Sequence, residues 1–462
     1  LASGVTIHAV LGRREVPAII GWVGLAWLAP VVGSLLYFAF GINRIRRNAQ
    51  LLGTQEMMLP PWEREGAASL PPALLERSPA LDELARVGGI VTALPLRGGN
   101  AVDLLVDGDE AYPAMLTAIA QAERSVVLAS YIFDADRVGE RFREALTAAH
   151  RRGVLVRVLI DDVGAHYSRP SMVARLRTHG VPVATFLPTF GSFLLRYANL
   201  RNHRKILVVD GRVGFTGGMN LREGHQLSLA PREPVRCLHF QVTGPLVADM
   251  LRVFVQDWTF TTGESLPSID LLCPDVTPAG AVVARGVPDG PDGDFENLLQ
   301  LMLGAIAAAR RRIAILTPYF LPDARLLSAL ATAAMRGLAV DIVIPGRNNI
   351  RLMDWATVPQ LIPLLRSGCR VWHTPPPFDH SKIFVVDGAW SLIGSTNWDA
   401  RSLRLNFEHN LECYDAALAA RLEAIVAARI ASAAPVTMDE LRARAGPTKV
   451  RDGVARLLSP YL

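Results

Sequence analysis

Two stretches of this chain are near copies of one another: "NHRKILVVDG", Asn202 to Gly211, and "DHSKIFVVDG", Asp379 to Gly388. The likeness extends outward. "AIAQAERSVVLASYIFDAD" (118–136) resembles "AIAAARRRIAILTPYFLPD" (305–323), and "AAHRRGVLVRVLIDDVG" (148–164) resembles "AAMRGLAVDIVIPGRN" (333–348). Solenoid units run roughly 20–45 residues, so a repeat of this length is a domain duplication. Within each half, short apolar β-branched runs alternate with amphipathic stretches in the order helix, strand, helix, strand. That alternation indicates an α/β fold. We expect two duplicated lobes, residues 91–270 and 271–435, each a mostly buried mixed sheet flanked by helices.

The basic residues sharpen the case. Of 48 lysines and arginines only three are lysines, Lys205, Lys382 and Lys449, and two of these hold the same place in the two copies. Arginine is a planar fork and lysine a compact point charge, so both copies keep the point charge in an arginine-rich chain. Other composition bounds the function. The net charge of +5 is too small to argue for nucleic acid. Cys237, Cys273, Cys369 and Cys413 are scattered with no CxxC pair, which speaks against a zinc site or a disulfide framework.

Val16 to Asn43 contains no charged residue. It is longer than the ~20 apolar residues that cross a bilayer, and it is too long and too late for a signal-peptide core. We expect residues 1–47 to form a membrane anchor, with Pro17, Pro30 and four glycines leaving open a kinked span or a re-entrant hairpin. Arg44, Arg46 and Arg47 after the span, against Arg13 and Arg14 before it, favour a cytoplasmic body. Residues 48–90 read as a linker and entry segment, with four prolines between Leu59 and Leu74. Residues 436–462 read as a helical tail in which Val450, Val454, Leu457 and Leu458 share a face expected to pack on the body, with a membrane surface as the alternative.

If each ten-residue copy is a strand, residues two apart share a face. His203 and Lys205 then point one way, as do His380 and Lys382, while Asp210 and Asp387 fall on the other face at an Asp-Gly turn. Folding back from Gly211 sets Asn220 opposite His203, and folding back from Gly388 sets Asn397 opposite His380. Gly217, Gly218, Gly394 and Ser395 beside them leave backbone room for a ligand. Lysine and asparagine supply donors to an anion, and two ammonium groups repel a metal cation. With a phosphate held there, one imidazole can attack phosphorus and the other can protonate the leaving oxygen. Two histidines approaching one phosphorus from opposite sides would explain the duplication. No cofactor and no metal ion is expected.

These paired motifs, HxKx₄Dx₆GGMN and HxKx₄Dx₆GSTN, resemble the HKD motifs of the phospholipase D superfamily. With "YIFDAD", "RYANLRNHRK", "TPYFLPD", "FDHSK", "GSTNWDARSLRLNFE" and "RLLSPYL", the chain resembles bacterial cardiolipin synthases over essentially its whole length. The resemblance implies that His203 is the nucleophile and His380 the general acid that becomes the base. Lys205, Lys382, Asn220, Asn397 and Ser395 would bind phosphate. Asp210 and Asp387 complete the family's catalytic motifs, although their facing makes them structural. The family also supplies carboxylates that orient the imidazoles. Glu408 matches one. In "RCLHFQVTGP" Cys237 stands where an Asp is usual, and a thiol would hold its imidazole less firmly.

The resemblance further implies a phosphatidyltransferase of the bacterial inner membrane that joins two phosphatidylglycerols, with the lipid bilayer and membrane phospholipids as partners. A hydrolase on the same site and a non-catalytic membrane scaffold are the competing readings. The lack of a basic tract interleaved with aromatics argues against nucleic acid. His239 and His409, which flank the orienting positions, read as hydrogen-bonded structural groups. Tyr131 and Tyr319 read as lobe core, and Asp161-Asp162 as a carboxylate couple without a second cluster.

Overall fold

The computed structural model describes residues 1–11, 16–38, 67–188, 200–273, 277–291 and 296–459. The chain divides into two compact units, Leu1–Gly53 and Thr54–Leu462. The flanking arginines Arg13, Arg14, Arg44, Arg46 and Arg47 and residues 48–66 of the expected linker and entry segment lie outside the described residues.

In the first unit, helix Ala2–Leu11 packs on Val16–Leu28, and a third helix, Pro30–Leu36, follows after one residue. Proline has no N–H to give and disfavours a helical residue before it. Ala29 accordingly leaves the helix at ψ 76°. Gly33 then lies so close to the Leu25 carbonyl oxygen that a Cβ would come within 2.3 Å of it. The apolar stretch is therefore broken rather than continuous. Among the described residues no helix is long and apolar enough to cross a membrane, so the expected membrane anchor is not one continuous spanning helix over Val16–Phe38. The His8 Nδ1 and the Tyr37 hydroxyl meet at 2.7 Å, and the Trp27 indole donates to Thr6 at 3.0 Å. Ile20, Trp27, Val31, Val32, Leu35 and Phe38 stay exposed.

The second unit carries both lobes on one mixed sheet. Strands Ser125–Ser130, Leu155–Asp161 and Val183–Phe186 run parallel. Ile206–Val209, Val213–Gly217, Leu238–Thr243 and Arg97–Val106 continue antiparallel. The second half repeats this order with Arg312–Leu316, Ala339–Pro345 and Arg370–Thr374, then Ile383–Val386, Trp390–Gly394, Asn406–Tyr414 and Val282–Asp289. Arg97–Val106 pairs with Val282–Asp289, so the two sheets join edge to edge. Alternation assigns the faces. In Ser125–Ser130, Val126 and Leu128 face the helices Asp107–Gln121 and Arg137–Arg151, while Val127 and Ala129 turn to a cluster shared by both lobes. That cluster takes in helices Leu246–Thr262 and Ala416–Ala431.

Two expectations change here. The segment before residue 91 is more than a linker: helix Ala80–Thr92 buries Leu81 and Leu84 in the core of the second lobe. In the tail, helix Gly446–Arg456 packs through Asp452 and Ala455, and the Val450, Val454, Leu457 face points outward.

Candidate active site

The hairpin after each motif closes on a turn in which Asp210 and Gly211 (φ 54° and 65°) and Asp387 and Gly388 (φ 54° and 62°) are left-handed. The Arg212 N–H reaches the Val209 carbonyl at 3.0 Å, and Ala389 reaches Val386 at 3.1 Å. A left-handed Asp is sterically costly, and the structure holds it in place. The Asp210 carboxylate accepts the backbone N–H groups of Glu123 (2.9 Å), Arg124 (2.8 Å) and Ser125 (2.8 Å). Asp387 accepts those of Arg310, Arg311 and Arg312, each at 2.8 Å. The two aspartates tie their turns to the starts of strands Ser125–Ser130 and Arg312–Leu316. Their facing matches the structural reading of the strand pattern, and neither touches the cavity described next.

The ladders run from Ile206↔Thr216 to Val209↔Val213 and from Ile383↔Ile393 to Val386↔Trp390, and stop there. His203, Lys205, His380 and Lys382 lie in the extended segments just before the strands, and Asn220 and Asn397 lie past their ends. Direct opposition of His203 to Asn220 is thus replaced by convergence. His203, Asn220, His380 and Asn397 all line one cavity of about 740 Å³. The lysines sit behind the histidines: Lys205 Nζ donates to the His203 carbonyl at 2.8 Å and Lys382 Nζ to the His380 carbonyl at 2.6 Å.

The histidines are steered across the lobes. Glu408, in the second lobe, accepts from His203 Nδ1 at 3.0 Å. The Gly218 carbonyl, in the first lobe, takes His380 Nδ1 at 3.0 Å. Registers Gly217↔His239 and Gly394↔Asn410 make Cys237 and Glu408 equivalent positions. The Cys237 thiol does not replace the carboxylate at its imidazole. It donates to the His380 backbone carbonyl at 3.4 Å, and burial holds its pKa up at about 12. Ser395 departs from its expected role: fully buried, its hydroxyl donates to Glu408 and accepts the His409 N–H at 3.0 Å. It positions a carboxylate rather than a phosphate.

A family model described as "Cardiolipin synthase, PLD-like domain" matches residues 115–228 and 302–430, and so takes in both motif copies. Cardiolipin synthase A of Pseudomonas fluorescens (strain SBW25) is 33% identical over 100% of this chain and 96% of its own length. Cardiolipin synthase 1 of Bacillus anthracis is 30% identical over 99% of this chain and 92% of its own. The chain belongs to the cardiolipin synthase family. The fold agrees: a phosphatidylserine synthase of Haemophilus influenzae Rd KW20 superposes with a TM-score of 0.63 at 16% identity, covering 82% of this chain and 100% of that one.

Within this member of the family the cavity also holds groups that the motifs alone did not mark. Tyr131 stands edge-on to His203 (5.2 Å between ring centres) and Tyr319 to His380 (6.1 Å), so both belong to the site rather than to lobe core. They sit one place apart in the aligned repeats, which hid the pairing. His225, without a partner pattern in the sequence, lies 6.2 Å from His380. Arg201, Arg222 and Arg401 add positive charge to the wall. Two flanking residues behave otherwise than expected: His239 Nδ1 and both His409 ring nitrogens are buried without a hydrogen-bond partner. Asp161 accepts the N–H groups of Asn202 (2.9 Å) and Val163 (3.0 Å), as a loop cap does. Among the described residues no group of three or more His, Cys, Asp or Glu side chains is set to hold a metal ion.

Electrostatics assigns working states. Burial, partly offset by Glu408, brings His203 down to about 4, so its imidazole is neutral near pH 7. With Nδ1–H directed at Glu408, Nε2 keeps a free lone pair. Burial, with the charge of Lys382 next, holds His380 well below its ordinary value. Burial also brings Lys205 to about 7 and Lys382 to about 8. The protein's own groups leave the site short of anionic charge, and a phosphodiester would restore both ammonium groups and raise His380. Asn397 donates to Ser402 at 3.1 Å while its Oδ1 is buried unpartnered. Turned over, the amide would accept from Ser402 and offer its N–H to phosphate.

Two predictions arise here. The free-enzyme profile, kcat/KM, should fall about tenfold per pH unit above pH ~7, as Lys205 loses its proton, and about a hundredfold per unit above pH ~8, where Lys382 follows. It should not fall toward acid until His203 protonates near 4. A profile level from pH 6 to pH 10 (roughly this range) would contradict it. Lys382→Arg keeps the charge but must fit a planar fork where a buried Nζ sits on a carbonyl. We expect at least ~10-fold loss of kcat/KM, about 1.4 kcal/mol of barrier. Near-normal turnover would show that charge alone suffices.

Proposed function

We propose that the protein joins two phosphatidylglycerols into cardiolipin and releases glycerol, through a phosphatidyl group carried on His203. His203 Nε2 attacks phosphorus, and the bond from phosphorus to the glycerol oxygen breaks. His380 gives that oxygen its proton. The hydroxyl of a second phosphatidylglycerol then loses its proton to His380 and attacks phosphorus, and the P–N bond breaks. Lys205, Lys382, Asn220 and Asn397 hold the phosphate oxygens throughout. His203 suits the nucleophile's part because Glu408 steadies the positive charge its ring acquires, whereas His380 has only a carbonyl behind it.

The observation that carries this reading is the meeting in one cavity of two buried imidazoles, one from each lobe, each with a lysine behind it. Relatives named cardiolipin synthase over nearly their full length support the choice of lipid. The expected site of action is the bacterial inner membrane, with the apolar helices of residues 16–36 lodged in the bilayer and the body on the cytoplasmic side. The exposed apolar faces of those helices support that placement.

The test is the full chain with phosphatidylglycerol vesicles and no nucleotide-activated lipid, its products read by lipid mass spectrometry. Cardiolipin and glycerol in equal amounts are expected. Phosphatidic acid as the main product would make the protein a hydrolase.

A further inference from the structure

The C-terminal helix Gly446–Arg456 has two unlike faces. On one, Ala455 packs with Leu321, Met353 and Ala356, and Arg451 stacks 4.4 Å above the Trp355 ring. Asp452, on that same face, is held by Arg444 at 2.6 Å and Arg451 at 2.7 Å. On the other, Val450 (67% exposed), Val454 (57%) and Leu457 (76%) form a stripe at helical spacing that no described residue of this unit covers, with Leu458 beside it. Lys449 and Arg456 flank it, and Arg442 lies exposed on the preceding helix, Met438–Ala443. The carboxylates nearby are largely committed. Asp452 is paired and Glu440 closes a capping box with Thr437, which leaves Asp439 exposed.

The position of this helix adds a second observation. It lies on helix Arg351–Arg366, whose Arg351 and Met353 line the catalytic cavity. The cavity mouth carries one exposed apolar or aromatic side chain from each lobe, Tyr167 and Ile350, in matching loops after strands Leu155–Asp161 and Ala339–Pro345. Arg347 and Arg351 stand beside them. An apolar stripe bordered by cations, on a helix that packs against the one lining an apolar and cationic mouth, is complementary to an anionic bilayer surface, with headgroup phosphates outside and acyl chain beneath.

We propose that the C-terminal helix is an interfacial element that lays its Val450, Val454, Leu457 face into an anionic phospholipid surface and so seats the cavity mouth on the bilayer. The inference rests on the reading of the cavity as a lipid phosphodiester site. It gives that site a supply route: a lipid enters from the surface the helix has docked on, without passing through water.

The four native cysteines are all buried, so a Val454→Cys variant of the full chain takes an environment-sensitive fluorophore selectively. With vesicles rich in phosphatidylglycerol its emission should shift to the blue and be quenched by nitroxide-bearing lipid. With phosphatidylcholine alone it should not, nor should the same label at Glu144→Cys. A label at 454 that stays aqueous while the protein floats with anionic vesicles overturns the proposal. So does a blue shift that needs no vesicles and grows with protein concentration, since a second copy would then cover the stripe. Val454→Asp should raise the apparent KM for vesicle phosphatidylglycerol about tenfold. Turnover of a soluble short-chain phosphodiester should stay within about twofold. Equal losses on both substrates would show that the stripe serves the fold. The fluorescence reads docking whether the product is cardiolipin or phosphatidic acid, so its failure is separable from failure of the proposed reaction.

Discussion

His203→Ala should lose at least about 10⁴-fold in turnover on phosphatidylglycerol, the scale of losing a nucleophile that acts as part of a unit. It should also lose all covalent phosphatidyl-enzyme. The size follows from the site. Among the described residues no second group is poised to attack from that side: Nε2 of His203 is aimed by Glu408, which is fully buried and held in turn by Ser395 and by Asn406 Nδ2 at 3.2 Å. His225 lies against His380 and cannot substitute. The loss should be as severe on a p-nitrophenyl phosphodiester, because a better leaving group does not supply a nucleophile. Residual turnover within tenfold of the parent enzyme (roughly 1.4 kcal/mol of barrier) would assign the attack to another residue.

His380→Ala should behave differently on the two substrates. Glycerol leaves as a poor, basic alkoxide unless it is protonated, so loss of the acid should cost about 10²–10⁴-fold with phosphatidylglycerol. p-Nitrophenolate needs no proton to leave, so the first chemical step should be nearly spared and should appear as a burst of nitrophenol. The covalent enzyme should then accumulate, because His380 is also the base for the second alcohol. Equal losses on both substrates, without a burst, would contradict the division of roles between the two histidines. The contrast has a structural root: His203 is backed by a carboxylate and His380 by the Gly218 carbonyl.

Much of this site was legible because its chemistry is local in the chain. A histidine and a lysine two apart, repeated on a duplicated scaffold and kept as lysine among arginines, identified both halves of the cavity before any contact was known. Glu408 was found only through the family resemblance, which its "NFE" matches. What the pattern could not carry is which lobe each partner serves. Glu408 crosses to the histidine of the other lobe, and the Gly218 carbonyl crosses back, because the two sheets join through Arg97–Val106 and Val282–Asp289. Edge pairing of that kind leaves no mark in a period-two pattern. Ser395 looked like a phosphate donor because it borders the motif, but the close approach of its strand to Glu408 claims its hydroxyl. At the N-terminus the sequence left open a kinked span or a hairpin on account of Pro17, Pro30 and the glycines, without saying where the chain breaks. In the fold the break falls at Ala29, the residue before Pro30, which leaves the helix and lets Pro30 start the next one.

The claim at the centre of this account is that a single phosphatidyl group passes from a lipid to His203 and on to a second lipid. The most direct measurement is to quench the full chain during turnover of labelled phosphatidylglycerol in vesicles and map the adduct by peptide mass spectrometry. The isolated adduct is then chased with unlabelled phosphatidylglycerol. The account predicts a phosphatidyl group on His203 that the chase carries into cardiolipin bearing label in one half only. An adduct on His380, no adduct at all, or a chase that yields labelled phosphatidic acid in place of cardiolipin would contradict it.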